Sequence, residues 1–166
     1  MNALIVAAAF DPATQQRLDE LRRTYFPPER NRLPAHLTLF HALPGDALAE
    51  VVDAVRQACS TPRPRAEVRS VRSLGRGAAL VLDSPGLAAA RGRVAAAFPG
   101  RLTRQDGQGF RPHVTVQNFV DPAVARATVA ELTAGFAPWG FDVQGLDVHR
   151  YAGGPWELLE SVAFEA

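Results

Sequence analysis

A chain of 166 residues, 47% apolar and 21% charged, has room for one domain and the composition of an ordinary globular protein, which excludes a disordered or fibrous architecture. The formal net charge of +1 excludes the global basic excess of a protein that coats nucleic acid non-specifically and leaves room only for a local positive groove. All 18 cationic side chains are arginine, as a GC-rich coding bias writes them, and the single cysteine, Cys59, excludes an internal disulfide and a cysteine-cluster metal site.

Taken in chain order, Leu4 to Phe10 is a short apolar run that reads as a buried first strand. No basic residue precedes it and Asp11-Pro12 ends it early, so a signal peptide or membrane span is not expected. Asp11 as N-cap and Pro12 at the first helical position open a helix to about Phe26, which Pro27-Pro28 stops. A polar loop with Arg30 and Arg32 leads to a second strand, His36 to Ala42. Gly45-Asp46 caps a helix to about Ser60, with Cys59 as a small buried residue near its end, and Pro62-Arg63-Pro64 breaks it.

Ala66 to Leu74 and Ala78 to Asp83 read as a hairpin turning at Gly75-Arg76-Gly77. Ser84-Pro85 opens a third helix to about Phe98, and the Gly-rich segment from Pro99 to Arg111, with Arg101 and Arg104 in a solvated loop, delivers the chain to a strand from His113 to Phe119. Asp121-Pro122 opens a fourth helix to about Phe136. Two extended segments, Phe141 to Tyr151 and Trp156 to Phe164, joined at Gly153-Gly154-Pro155, complete the chain. The interleaving of helices with hairpins implies an α+β fold with antiparallel sheet, one domain over residues 1–166 made of two lobes.

The chemistry is carried by a repeated tetrapeptide: His36-Leu37-Thr38-Leu39 and His113-Val114-Thr115-Val116. In a strand, alternate side chains share a face, so each His and its Thr project together while the two apolar residues anchor the other face. One such tetrapeptide is weak; two, each behind a loop with arginine and proline and each followed by a helix, carry a faint internal symmetry.

With these residues the sequence resembles the 2H phosphoesterase superfamily, in particular its bacterial 2'-5' RNA ligase, or RNA 2',3'-cyclic phosphodiesterase, branch. Leu33 to Leu39 resembles the first family motif, Phe110 to Val116 the second, Tyr151 to Glu157 the terminal hairpin, and Ala3 to Ala9 the first strand. The chain departs from many relatives at Gln117 and Asn118, where a basic residue is common, and at His41, a position that is often aromatic. The resemblance implies a bilobal, pseudo-twofold fold with both motifs facing a central cleft.

It also implies metal-independent opening of cyclic phosphate ends to 2'-phosphates, with ATP-independent 2'-5' ligation when a 5'-hydroxyl replaces water. Histidine populates both protonation states near neutrality, so His36 and His113 are the expected acid and base, in either order. Thr38 and Thr115 would donate to non-bridging phosphate oxygens, and Arg32 and Arg111 would grip phosphate from the cleft rim. Phe40, by alternation, and Tyr151 and Trp156 are candidates for stacking on a base, with core packing or hairpin closure as the alternatives. His41, on the opposite face, and His149 are expected to be structural; neither completes a ligand cluster, so no metal and no cofactor is expected. RNA ends or cyclic nucleotides are the expected partners of a cytoplasmic monomer. A nucleotide-binding module without turnover and a small-molecule cyclic nucleotide phosphodiesterase fit the same residues.

Overall fold

Three of the four helices open on a proline directly after a polar cap, which sets the backbone for the first turn at a position where no N–H is needed. Asp11 accepts from the Thr14 N–H at 2.9 Å and from its hydroxyl at 2.7 Å, and Ser84 accepts from the Leu87 N–H at 3.3 Å. Asp121 takes the extended cap backbone without a side-chain bond. The computed structural model describes residues 2–166: β1 (Leu4–Ala9), α1 (Pro12–Tyr25), β2 (Thr38–Leu43), α2 (Leu48–Ala58), β3 (Arg65–Ser73), β4 (Ala78–Asp83), α3 (Pro85–Ala95), β5 (His113–Gln117), α4 (Pro122–Ala134), β6 (Trp139–Asp142), β7 (Gly145–Arg150) and β8 (Glu157–Ala163). The α2 cap differs from expectation. A turn closed by the Ala47 N–H on the Pro44 carbonyl encloses Gly45 and Asp46, and the helix starts behind Ala47 with no side-chain cap.

The strands form two four-stranded antiparallel sheets, β2-β1-β7-β8 and β5-β4-β3-β6. In each, the strand holding a motif's threonine lies at one edge and pairs with a more apolar strand, β1 or β4; β5 starts at His113, whereas β2 starts at Thr38, so His36, expected at the head of its strand, precedes it. The lobes are not the two halves of the sequence. The segment from Phe141 to Tyr151, expected as one extended run, divides between the sheets: the Val143 N–H donates to Pro64 beside β3, while the next N–H, Gln144, donates to Ala9 at the end of β1. The last two strands therefore complete the sheet begun by the first two.

One apolar core runs through both sheets, joining Leu39, Phe40 and Leu43 of β2 with Val51 and Val55 of α2, Leu87 and Val94 of α3, and Val114 and Val116 of β5. Helices α2 and α3 pack on each other, whereas α1 packs on β5, in the opposite lobe from the strand that precedes it. Among the described residues no helix is long and apolar enough to cross a membrane.

Both motif strands carry a β-bulge at the same place. Ala7 faces Thr38 while its neighbour Val6 faces Phe40, so Leu39 is the extra residue; Ala79 faces Thr115 while Ala78 faces Gln117, so Val116 is the extra one. A bulge ends strict alternation and re-aims the side chains beyond it. Gly77 permits the second: a Cβ there would overlap the Gln117 carbonyl.

Candidate active site

Each motif begins with the same local arrangement. The His36 Nδ1 lies 2.9 Å from the Pro34 carbonyl oxygen and the His113 Nδ1 lies 3.0 Å from that of Arg111. A carbonyl only accepts, so each Nδ1 carries the hydrogen and each Nε2 is left to exchange protons. Leu37 and Val114, between His and Thr, are fully buried, while His36, Thr38, His113 and Thr115 keep partial exposure, as strand alternation requires up to the bulges.

The two motifs share one cleft crosswise. One cavity of about 820 Å³ is lined by His36 and Thr115, together with Arg22, Arg30 and Arg32. A second, of about 300 Å³, is lined by Thr38 and His113, together with His41, Arg72 and Arg111. Each histidine thus lines a cavity together with the other motif's threonine.

Helix α1 fixes this geometry. Asp19 accepts from the Ala35 N–H at 2.7 Å, and Gln15 donates to the Ala35 carbonyl at 2.9 Å and to Asp19 at 3.0 Å, so the residue before His36 is held at both backbone groups. One turn on, Arg22 is 4% exposed; its Nη1 donates to the Thr115 carbonyl at 2.9 Å and its Nε to Asn31 at 3.1 Å. A single helix therefore grips the chain at both motifs.

Burial pushes the His36 pKa below its ordinary value of 6.5, and the positive charge of Arg22 and the proximity of His113 and His149 add to the effect, against the hydrogen bond to Pro34. Neutral imidazole is thus the favoured form of His36 at pH 7. Arg22's own pKa is lowered by burial and supported by Asp19, and a guanidinium stays charged through such a shift.

Of the expected contacts, Arg32 lines the larger cavity and Arg111 the smaller, both exposed. Tyr151 and Trp156 line the larger cavity, and the Trp156 ring centre is 4.8 Å from that of His36. Phe40 is a correction. The bulge turns it into the core, where it is 0% exposed under the Arg91 guanidinium, so it cannot stack on a base. The same displacement brings His41 to the Thr38 side of the strand, contrary to expectation; its N–H donates to the buried Asp106 at 2.8 Å, and its Nδ1 lies 3.3 Å from the same oxygen. His149 packs beside Trp156 at 5.4 Å, with its buried Nδ1 unpartnered among the described residues.

Gln117 is buried, donating to Thr128 at 2.7 Å and to the Tyr25 carbonyl at 3.2 Å, and Arg101 pairs with Glu50 at 2.8 Å, outside the cleft. Cys59 is buried with its pKa pushed up to about 11, an inert thiol. No three His, Cys, Asp or Glu side chains group as a metal site would need, among the described residues.

Sequence reasoning missed Gln15, Asp19 and Arg22. A signal existed for Arg22: it continues the buried row Thr14, Leu18, where an arginine is out of place unless it has partners.

A profile described as the 2'-5' RNA ligase superfamily matches residues 10–155. No curated protein sequence matches the chain significantly. Among solved structures, the crystal structure of TT0787 of Thermus thermophilus superposes with a TM-score of 0.67 at 17% identity, covering 98% of this chain and 97% of that one. Escherichia coli LigT complexed with NADP+ gives 0.63 at 16%, covering 98% of each chain, and LigT complexed with 3'-AMP gives 0.60 at 18%, covering 99% of each. At these identities the likeness establishes a shared fold.

Proposed function

Because the chain belongs to the 2'-5' RNA ligase superfamily, we propose that it uses His36 and His113 to open 2',3'-cyclic phosphate ends to 2'-phosphates. The observation that carries this reading is the matched pair of imidazoles, each with Nδ1 spent on a backbone carbonyl and each lining a cavity with the other motif's threonine. Complexes of LigT with 3'-AMP, ATP and phosphate support a nucleotide-type substrate for this fold.

In-line attack on phosphorus needs one group to take a proton from water and another to give one to the departing ribose 3'-oxygen. The depressed pKa of His36 favours it as base, with Nε2 accepting the water proton. His113, as imidazolium, then supplies the proton to the 3'-oxygen, and the phosphate stays on the 2'-oxygen. The Thr38 and Thr115 hydroxyls donate to the non-bridging oxygens as charge accumulates, and Arg32 and Arg111 approach the phosphate from the two rims. A ribose 5'-hydroxyl in place of water gives a 2'-5' linkage by the same proton transfers, without ATP.

The test supplies a nucleoside 2',3'-cyclic phosphate and an oligonucleotide with a cyclic phosphate end, in excess chelator, and identifies the product isomer. A 2'-phosphate from either substrate is expected. A 3'-phosphate, or activity that returns only with added Zn²⁺, overturns the reading; absence of product from both leaves a nucleotide-binding module.

A further inference from the structure

We infer that Phe119 is the platform on which the nucleobase of the substrate stacks. The inference rests on the nucleotide chemistry proposed above, and it assigns a role to a residue just beyond the second motif strand. Phe119 has φ of 64°, alone among the described non-glycine residues in the left-handed region. That conformation suits glycine or asparagine and is a genuine outlier for a bulky side chain. The ring is not compensated by burial, because Phe119 is 51% exposed.

The surroundings hold the ring in place. The Asn118 side-chain oxygen accepts from the Phe119 N–H at 2.9 Å. The next residue, Val120, is bound twice by the β3–β4 turn: its N–H donates to the Arg76 carbonyl at 3.1 Å, and its carbonyl accepts from the Arg76 Nε at 3.2 Å. Phe26 meets the ring edge to face at 6.1 Å between centres, and the Arg30 guanidinium lies 4.3 Å from its centre.

Phe119 lines the same cavity as His36 and Thr115, and Tyr151, Gly153, Gly154, Pro155 and Trp156 of the β7–β8 turn also line it. A flat heterocycle on a ribose whose phosphate sits between the histidines would thus find an aromatic ring backed by a guanidinium, and a further aromatic wall. Stacking of this kind reads the π-face and tolerates any base.

The test compares a nucleoside 2',3'-cyclic phosphate with methyl riboside 2,3-cyclic phosphate, which keeps the reacting group and lacks the base. The wild type is expected to show a KM about 10-fold or more lower for the nucleoside, the scale of one base stacked on an aromatic ring. Phe119→Gly, which relaxes the backbone, should abolish that advantage, leave kcat and KM for the baseless substrate within about two-fold, and keep or raise Tm; Phe119→Trp should restore the advantage. Equal losses on both substrates, or a base preference that survives Phe119→Gly, overturn the inference. Calorimetric binding of a nucleoside 2'-monophosphate keeps it separate from the chemistry. If neither substrate turns over, the phosphodiesterase reading fails, and the platform stands only if Phe119→Gly weakens this binding about 10-fold and Phe119→Trp recovers it.

Discussion

Protonation of His36 places a positive charge beside the buried guanidinium of Arg22, in a site where burial already opposes it. As base, His36 works in the neutral form, so kcat/KM should fall as pH drops through its lowered pKa, and the acid limb should lie below pH 6.5. A pH–rate profile checks this, and a limb above 6.5 contradicts the assignment. The same shift has a stability sign. The unfolded chain binds protons near pH 6.5 that folded His36 and His149 refuse, so stability rises with pH up to that value and is lost on descent through the window below it. Phe40 shows the limit of residue-level reading. Its identity as an aromatic near a phosphate-binding motif was visible, but its direction depended on a bulge that alternation does not foresee. Phe40→Ala should cost about 3–5 kcal/mol of stability in urea unfolding, as deletion of a buried aromatic ring does, while KM stays unchanged. A raised KM with unaltered stability would restore the stacking role.

At the scale of elements, the strands display the motifs and α1 determines where they stand. Asp19→Ala leaves the Ala35 N–H without its carboxylate, costing about 1–3 kcal/mol, and frees the residue before His36. A displacement of even about 1 Å in a reacting group is worth up to 100-fold, so kcat should drop by about 10-fold or more while Tm falls modestly. Unchanged kcat in a folded Asp19→Ala variant would show that the clamp does not position His36. The helix boundaries were legible because proline caps are local signals, and each capped helix begins where its proline stands. The α1 clamp was not, because Gln15 and Asp19 meet Ala35 across a loop whose path depends on the packed whole. The division of the tail between two sheets escaped for the same reason: Val143 and Gln144 differ only in which sheet lies beside them.

For the molecule as a whole, a net charge of +1 is consistent with a cleft that gathers arginines, and two of the acidic groups are already engaged in bonds of their own. Asp106 is buried against His41 and Ala42, and Glu50 pairs with Arg101 away from the site. Arg22 is the link between lobes: it stands on the helix that clamps the first motif and donates to the second. Arg22→Met should remove its electrostatic effect on His36, moving the acid limb of kcat/KM toward 6.5, and should destabilise by about 1–3 kcal/mol through the unpaired Thr115 carbonyl and Asn31. An unmoved limb would show that Arg22 acts through structure alone. The paired motifs are legible in one dimension because each is four residues long; their crosswise arrangement, His36 with Thr115 and His113 with Thr38, exists only once two sheets face each other. The two-histidine claim is tested most directly by kcat for a nucleoside 2',3'-cyclic phosphate in His36→Ala and His113→Ala, each checked for native Tm. Each should fall by about 10²-fold or more, the usual contribution of a general acid or base, and turnover at the wild-type rate in either folded variant would contradict the account.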